Sequence, residues 1–154
     1  MENGYFDRHL TPLLKTQMGR KNIVVLTGAR QTGKTTIVKK VIGDITAAQG
    51  RRNIYYFDLE KPELLEVFAS HTACLRHLAL EGADLARTVY LFIDEFQYIP
   101  DATKLLKILY DSEHDIRILA TGSSALEIRK KLLEPLTGRK RVFHCHPLDF
   151  AEFL

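Results

Sequence analysis

The strongest constraint on the fold is a glycine-rich segment that joins an apolar run to a helical pattern. Residues 28–35 read GARQTGKT and directly follow the run IVVLT. Downstream, the apolar residues that recur at helical spacing are Ile37, Val38, Val41 and Ile42. This order predicts a buried strand at residues 23–27, a tight glycine loop, and a helix that begins at Lys34 and ends at Gly43.

The spacing of this segment fits the pattern GxxxxGK[ST], whose residue types suit a phosphate ligand. Gly28 and Gly33 let the backbone approach phosphates closely, at the positive end of the following helix. Lys34 can reach the β- and γ-phosphates, and the hydroxyl of Thr35 can bind Mg²⁺. A plain glycine turn with a solvated lysine would leave the joint spacing unexplained. The predicted nucleotide-binding residues are Gly28, Ala29, Arg30, Gln31, Thr32, Gly33, Lys34, Thr35 and Thr36.

Apolar runs and helical patterns alternate along the rest of the chain, which predicts an α/β fold. Further strands are expected at residues 53–58, 88–94, 116–121 and 141–145. Helices are expected at about 1–20, from Pro62 with an irregular continuation to about 85, and at 101–113 and 124–133. Continuous apolar strands separated by helices indicate a parallel sheet covered on both faces. The 154 residues, 45% of them hydrophobic, suit a single domain over 1–154.

Two further strands end in polar residues that could complete a phosphate site. Asp94 ends the run YLFID, where its carboxylate could hold Mg²⁺, and Glu95 follows, where it could orient or deprotonate a water. Thr121 and Ser123 end the fourth strand, where a hydroxyl could contact the γ-phosphate or that water. Simpler interpretations stay open: a strand that runs into a solvated loop, and a turn with a helix cap.

Charge and the remaining motifs restrict the partners without identifying one. The net charge of +3 tolerates an anionic ligand but is too small to argue for nucleic acid. A basic patch for nucleic acid, or else a solvated face, could form from Arg129, Lys130, Lys131, Arg139, Lys140 and Arg141. A GTPase is disfavoured because the sequence contains no NKxD motif and no DxxG after the glycine loop.

Cysteine usage and hydropathy predict a cytoplasmic protein without a membrane partner. Cys74 and Cys145 show no pairing pattern, which favours free thiols in a reducing compartment. No apolar run approaches the roughly 20 residues of a membrane span, and the N-terminus lacks the apolar core of a signal peptide. The triplet His144, Cys145 and His146 cannot converge on one metal, because neighbouring side chains of a strand point to opposite faces.

The motifs taken together resemble a known family. The order GARQTGKTT, YLFIDEFQYIP, ILATGSSA and LTGRKRVFHCHPLDFAEFL is similar to that of the predicted prokaryotic ATPases of the AAA+ superfamily, whose core is usually followed by a C-terminal extension. The resemblance implies a P-loop NTPase three-layer sandwich with a five-stranded parallel sheet of order 5-1-4-3-2. It also implies ATP and Mg²⁺ as ligands, Lys34 and Thr35 in Walker A, Asp94 and Glu95 in Walker B, and a polar sensor near Thr121 and Ser123.

The resemblance extends to Arg139, which matches the family's Gly-Arg dipeptide before the last strand. An arginine there could act as a finger or sensor, either within its own subunit or across a subunit boundary, and the second case would require a homo-oligomer. A solvated basic turn with Lys140 and Arg141 is an equal alternative. The chain ends at FAEFL, where AAA+ proteins continue into a helical lid. We therefore expect the lid to be missing and the chain to be a fragment, a shortened relative or a trimmed version.

Two classes of function follow from these expectations. The first is an ATP-binding domain that hydrolyses ATP with Mg²⁺ and drives a conformational change in an attached or partner module. The second is a nucleotide-dependent switch or binding module with negligible turnover, which could be linked to nucleic acid.

Overall fold

Five parallel strands form the central sheet of the protein. The computed structural model describes residues 9–123 and 140–147. The strands are β1 (Ile23–Thr27), β2 (Ile54–Asp58), β3 (Val89–Asp94), β4 (Ile116–Gly122) and β5 (Lys140–His144). Their order in the sheet is β2-β3-β4-β1-β5, and all four pairings are parallel. The expected order 5-1-4-3-2 is confirmed.

Helical segments connect these strands. The α-helices are α1 (Leu10–Met18), α2 (Lys34–Gln49), α3 (His71–Leu80) and α4 (Ala102–Asp111), and 3₁₀ turns span Pro62–Phe68 and Phe96–Tyr98. The segment that begins at Pro62 is therefore a 3₁₀ turn followed by α3. The helix expected at 124–133 lies outside the described residues, as do the first eight residues of the expected N-terminal helix.

The helices cover both faces of the sheet and make three layers. On β3, Val89, Leu91 and Ile93 pack on the side of α3 and α4, and Tyr90 and Phe92 pack on the side of α1 and α2. Every residue of β1 and β3 is buried. The continuous apolar runs in the sequence reflect this two-sided burial, which an alternating strand would not achieve. The predicted fold class is confirmed.

Helix α2 is longer than the sequence indicated. Its predicted end at Gly43 is wrong, since the helix continues to Gln49. The apolar face extends one more turn, from Val41 to the buried Ile45, while Gly43 lies on the exposed side. The helix ends at Gly50, which adopts a left-handed φ of 86° and donates its N–H to the carbonyl oxygen of Thr46 at 2.7 Å.

Replacement of Gly43 by alanine should stabilise the protein. A Cβ at this position would meet nothing within 4 Å, and the residue lies in a helix interior. We expect the free energy of unfolding in urea to rise by about 0.5–1 kcal/mol, because alanine restricts the unfolded chain more than glycine does. Gly50→Ala is the matched control and should destabilise, since its φ of 86° strains an L-residue. A lower stability for Gly43→Ala would contradict the helical assignment.

Candidate functional site

The glycine loop, residues 28–33, lies against the end of β5. A Cβ at Gly28 would come within 2.4 Å of the carbonyl oxygen of Cys145, so the position requires glycine. Cys145 donates its N–H to the carbonyl oxygen of Thr27 at 2.6 Å, and its thiol contacts the carbonyl oxygen of Thr32 at 3.2 Å. Gly33 has a φ of 88° and immediately precedes α2. The motif therefore requires its two glycines for different reasons: a Cβ at Gly28 would clash with Cys145, and Gly33 has a positive φ.

Lys34 brings a buried positive charge into this loop. Its side chain is 5% exposed, and its ammonium group donates to the carbonyl oxygens of Gly28 at 2.8 Å and Ala29 at 2.7 Å. Within residues 9–123 and 140–147, no carboxylate lies within 4 Å of that ammonium group. A buried cation that is satisfied by neutral carbonyls alone is costly, and an anionic ligand at the N-terminus of α2 would offset that cost.

Asp94, at the end of β3, is a buried carboxylate that accepts hydrogen bonds from three hydroxyl groups. One carboxylate oxygen accepts from Thr35 at 2.7 Å and from Tyr56 at 2.8 Å, and the other accepts from Thr121. These donors come from α2, β2 and β4. The structure thus brings the predicted metal-binding residues Thr35 and Asp94 into contact. Hydroxyl and carboxylate oxygens are the ligand types that Mg²⁺ prefers, so the donor set fits this ion.

Tyr56 is a member of the site that no pattern in the sequence indicated. It lies on the edge strand β2, whose register places Asp58 beside Asp94. Burial, and then the hydrogen bond to Asp94, raise the pKa of Tyr56, so its hydroxyl stays a neutral donor. The run IYYFD contains two tyrosines, whose side chains lie on opposite faces of the sheet. The sequence alone does not say which of the two faces carries the hydrogen bond to Asp94.

Glu95 and the end of β4 form the second half of the site. Thr121, fully buried, accepts the backbone N–H of Glu95 at 3.1 Å while it donates to Asp94. Ser123 donates its hydroxyl to Oε2 of Glu95 at 2.9 Å. Thr121 lies in β4 and contacts both acidic residues, whereas Ser123 directly follows the last residue of β4 and contacts Glu95. Glu95 itself has a left-handed φ of 59°, which is uncommon away from glycine.

The remaining predicted loop residues take different positions. Thr32 is buried and donates its hydroxyl to the carbonyl oxygen of Ala29 at 2.8 Å, which closes the loop internally. Exposed positions are held by Ala29, Arg30, Gln31 and Thr36. Arg139 lies outside the described residues, so its role stays a prediction.

The residues around the end of β5 support the loop. His144 places Nδ1 2.7 Å from the hydroxyl of Thr27, whereas the thiol of Cys145 points to the glycine loop.

Both cysteines, Cys74 and Cys145, are free and buried, which confirms the expectation of free thiols. Burial raises the pKa of the Cys74 thiol to about 12. The described residues contain no group of three or more His, Cys, Asp or Glu side chains that could hold a metal, and no helix among them could span a membrane.

These features define the class of protein. A glycine loop joins β1 to α2, an acidic strand lies two positions away in the sheet, and a strand with polar residues at its end lies between them. This is the arrangement of a P-loop ATPase-like domain of the AAA+ type, as the resemblance implied. Residues 20–154 match the family described as "AAA domain", and the chain belongs to this family.

Two relatives come from Methanocaldococcus jannaschii. The uncharacterized protein MJ1637 is 29% identical over 137 residues, which cover 88% of this chain and 28% of the relative. The uncharacterized protein MJ1544 is 30% identical over 132 residues, which cover 86% of this chain and 28% of the relative. The chain thus spans less than a third of the length of these relatives.

Solved structures share the fold at low sequence identity. A structure of PCH-2 from C. elegans has a TM-score of 0.61 and 15% identity, and the match covers 91% of this chain and 42% of that one. A structure of the Drosophila ORC bound to DNA has a TM-score of 0.62 and 12% identity, and the match covers 93% and 92% of the two chains. These likenesses concern the fold alone.

Proposed function

We propose that this domain binds ATP and hydrolyses it with Mg²⁺. The observation that carries the proposal is the 2.7 Å hydrogen bond between the hydroxyl of Thr35 and the carboxylate of Asp94. It joins the helix that follows the glycine loop to the acidic strand, across β4. Residues that would bind phosphate therefore lie beside residues that would bind a hard cation, at the carboxyl ends of the strands, which is where ligands bind in parallel α/β sheets.

Each group has a chemical task in the proposed reaction. Lys34 neutralises phosphate charge, and the backbone N–H groups of the glycine loop and the first turn of α2 bind phosphate oxygens. Thr35 and Asp94 would hold Mg²⁺, which when bound spreads the negative charge of the phosphates. Glu95 orients a water molecule or accepts its proton, and this role stays a prediction together with those of Thr121 and Ser123.

The wider role is also a proposal. ATP turnover would drive a conformational change in an attached or partner module, and the much greater length of the two archaeal relatives supports an attached one. Arg139 would serve as a finger or sensor, across a subunit boundary if the protein forms a homo-oligomer. A cytoplasmic location likewise stays a prediction.

A nucleotide-dependent binding module with negligible turnover is the second candidate, with nucleic acid as its candidate partner. The observation that favours it is the basic pair Lys140 and Arg141, of which Arg141 is exposed at the start of β5. The fold likeness to the Drosophila ORC bound to DNA is compatible with this alternative.

Binding and turnover measured on the same protein separate the two candidates. We expect calorimetry to show ATP binding that strengthens with Mg²⁺, and a phosphate-release assay to show turnover that requires Mg²⁺. Binding without turnover, in the chain and in a longer natural protein that contains it, would favour the switch. Absence of ATP binding would contradict both candidates.

Tyr56→Phe should weaken the response to Mg²⁺ without removing ATP binding. The hydroxyl of Tyr56 lies 2.8 Å from the Asp94 oxygen that also accepts from Thr35, so its loss frees that carboxylate to move. Groups that orient a metal ligand typically change metal affinity by about 10-fold or more. We therefore expect the Mg²⁺ concentration at half-maximal effect on ATP binding to rise about 10-fold. Tyr55→Phe, the preceding residue on β2, is the control, and equal Mg²⁺ curves for both variants would contradict the prediction.

A further inference from the structure

Gln97 contacts both Glu95 and the end of β4. It lies in the 3₁₀ turn Phe96–Tyr98, directly after β3. Its amide nitrogen, Nε2, is 2.5 Å from Oε2 of Glu95 and 3.1 Å from the hydroxyl oxygen of Ser123. That hydroxyl in turn lies 2.9 Å from the same Oε2. The three side chains form a closed hydrogen-bonded triangle.

One arrangement of protons satisfies all three contacts. An ionised carboxylate accepts hydrogen bonds and donates none, so Gln97 must turn its NH₂ group, not its carbonyl, towards Glu95. Ser123 then donates to Glu95 and accepts from the second N–H of Gln97. The amide orientation therefore follows from the chemistry of the partners.

The orientation leaves the other end of the amide unsatisfied. Oε1 of Gln97 is buried and has no hydrogen-bond partner among the described residues. A buried carbonyl oxygen without a partner costs free energy, and an apolar side chain of similar length would avoid that cost. The contact with Glu95 is therefore what glutamine provides at this position and an apolar side chain would not.

The triangle limits how Glu95 can act. Its backbone N–H is bound by Thr121, and its Oε2 accepts two hydrogen bonds, whereas its Oε1 accepts none from the described residues. We propose that Gln97 is a positioning residue, which with Ser123 holds Oε2 of Glu95 so that Oε1 is the oxygen available to the attacking water. This inference rests on the proposed hydrolytic function and assigns to Gln97 a part in it.

The competing interpretation is that Gln97 merely stabilises the turn after β3. A structural role would change the melting temperature and, through it, all activities in proportion. A positioning role would lower kcat while the dissociation constant for ATP and KM stay nearly unchanged, because the contact acts on the chemical step. The two roles are therefore separated by which constant changes.

The test is a double-mutant cycle with Gln97→Met and Glu95→Gln. Methionine has a similar length but no donor, so it removes both N–H contacts. We expect Gln97→Met to lower kcat about 10-fold while ATP affinity changes less than about 2-fold. In the Glu95→Gln background the same change should have no further effect, since the positioned group is already disabled. Tyr98→Phe, in the same 3₁₀ turn and 44% exposed, is the matched control and should retain the parent kcat.

Other outcomes would overturn the proposal. One is an unchanged kcat in Gln97→Met. Another is a raised kcat, which would mean that the glutamine restrains Glu95. A third is a fall in kcat that is equally large in the parent and in the Glu95→Gln background. If Gln97→Met does not fold, Ser123→Ala removes the other donor to Oε2 and should give the same pattern. If turnover by the parent protein does not depend on Glu95, the proposed hydrolysis and this inference are both overturned. If turnover depends on Glu95 but not on Gln97, only the inference is overturned.

Discussion

ATP binding should be largely lost in Lys34→Ala. The ammonium group is buried and is bound by two carbonyls of the glycine loop, to which the proposed function assigns the phosphates of the nucleotide. Hydrogen bonds between a cation and a phosphate are among the strong ones, at about 1.5–3 kcal/mol each, and Lys34 can make two of them. We expect the dissociation constant for ATP, measured by calorimetry, to rise at least about 100-fold.

The control for this change is Lys39→Ala. Lys39 lies on the same helix α2 but is exposed, so its loss alters the net charge equally without touching the glycine loop. Its ATP affinity should stay within about 2-fold of the parent, because exposed charges at a distance are screened. Circular dichroism must show that Lys34→Ala is folded, since the carbonyl oxygens of Gly28 and Ala29 lose their donor. A folded Lys34→Ala protein that binds ATP as the parent does would remove the basis of the phosphate site.

Glu95→Gln should stop the chemistry and leave binding nearly intact. Glutamine keeps the shape of the side chain, but its amide cannot accept a proton from water as a carboxylate does. General bases contribute about 100- to 10,000-fold to a rate, so we expect kcat for ATP hydrolysis to fall at least about 100-fold. The affinity for ATP with Mg²⁺ should change little, because Thr35, Asp94 and Lys34 remain in place.

Glu66→Gln provides the comparison for Glu95→Gln. It removes the same charge from an exposed position in the 3₁₀ turn that follows β2. Its turnover should equal that of the parent. Equal turnover in Glu95→Gln and the parent would show that another group handles the water, and the role of Glu95 would have to be withdrawn.

The glycine loop shows how far a local pattern reaches. GARQTGKT, with a strand before it and a helix after it, was sufficient to predict β1 and the start of α2, because both depend on neighbours in the chain. The assignment of phosphate-binding residues to this loop stays a prediction. The end of α2 was not predicted correctly, since Gly43 is a poor helix residue locally while Ile45 is buried against the sheet. Packing on a distant strand outweighed the local preference.

The sheet order illustrates a second limit. Alternating apolar runs and helices indicated parallel strands with helices on both faces, and this is what the structure has. The specific order came from the resemblance to AAA+ ATPases, because local patterns do not say which strand pairs with which. That order is what places β4 between β1 and β3 and brings Thr121 beside Asp94.

By itself, the sequence determined the parts of the site that adjacent residues create. These are the glycine loop, the lysine and threonine at the start of α2, and the acidic pair at the end of β3. The tertiary structure alone decided which side chains from other strands complete the site. Tyr56 reaches Asp94 through the register of β2 on β3, and Gln97 meets Ser123 because β4 ends beside the turn after β3. Such contacts depend on strand register and on the direction of single side chains, which long-range packing sets and a linear pattern does not contain.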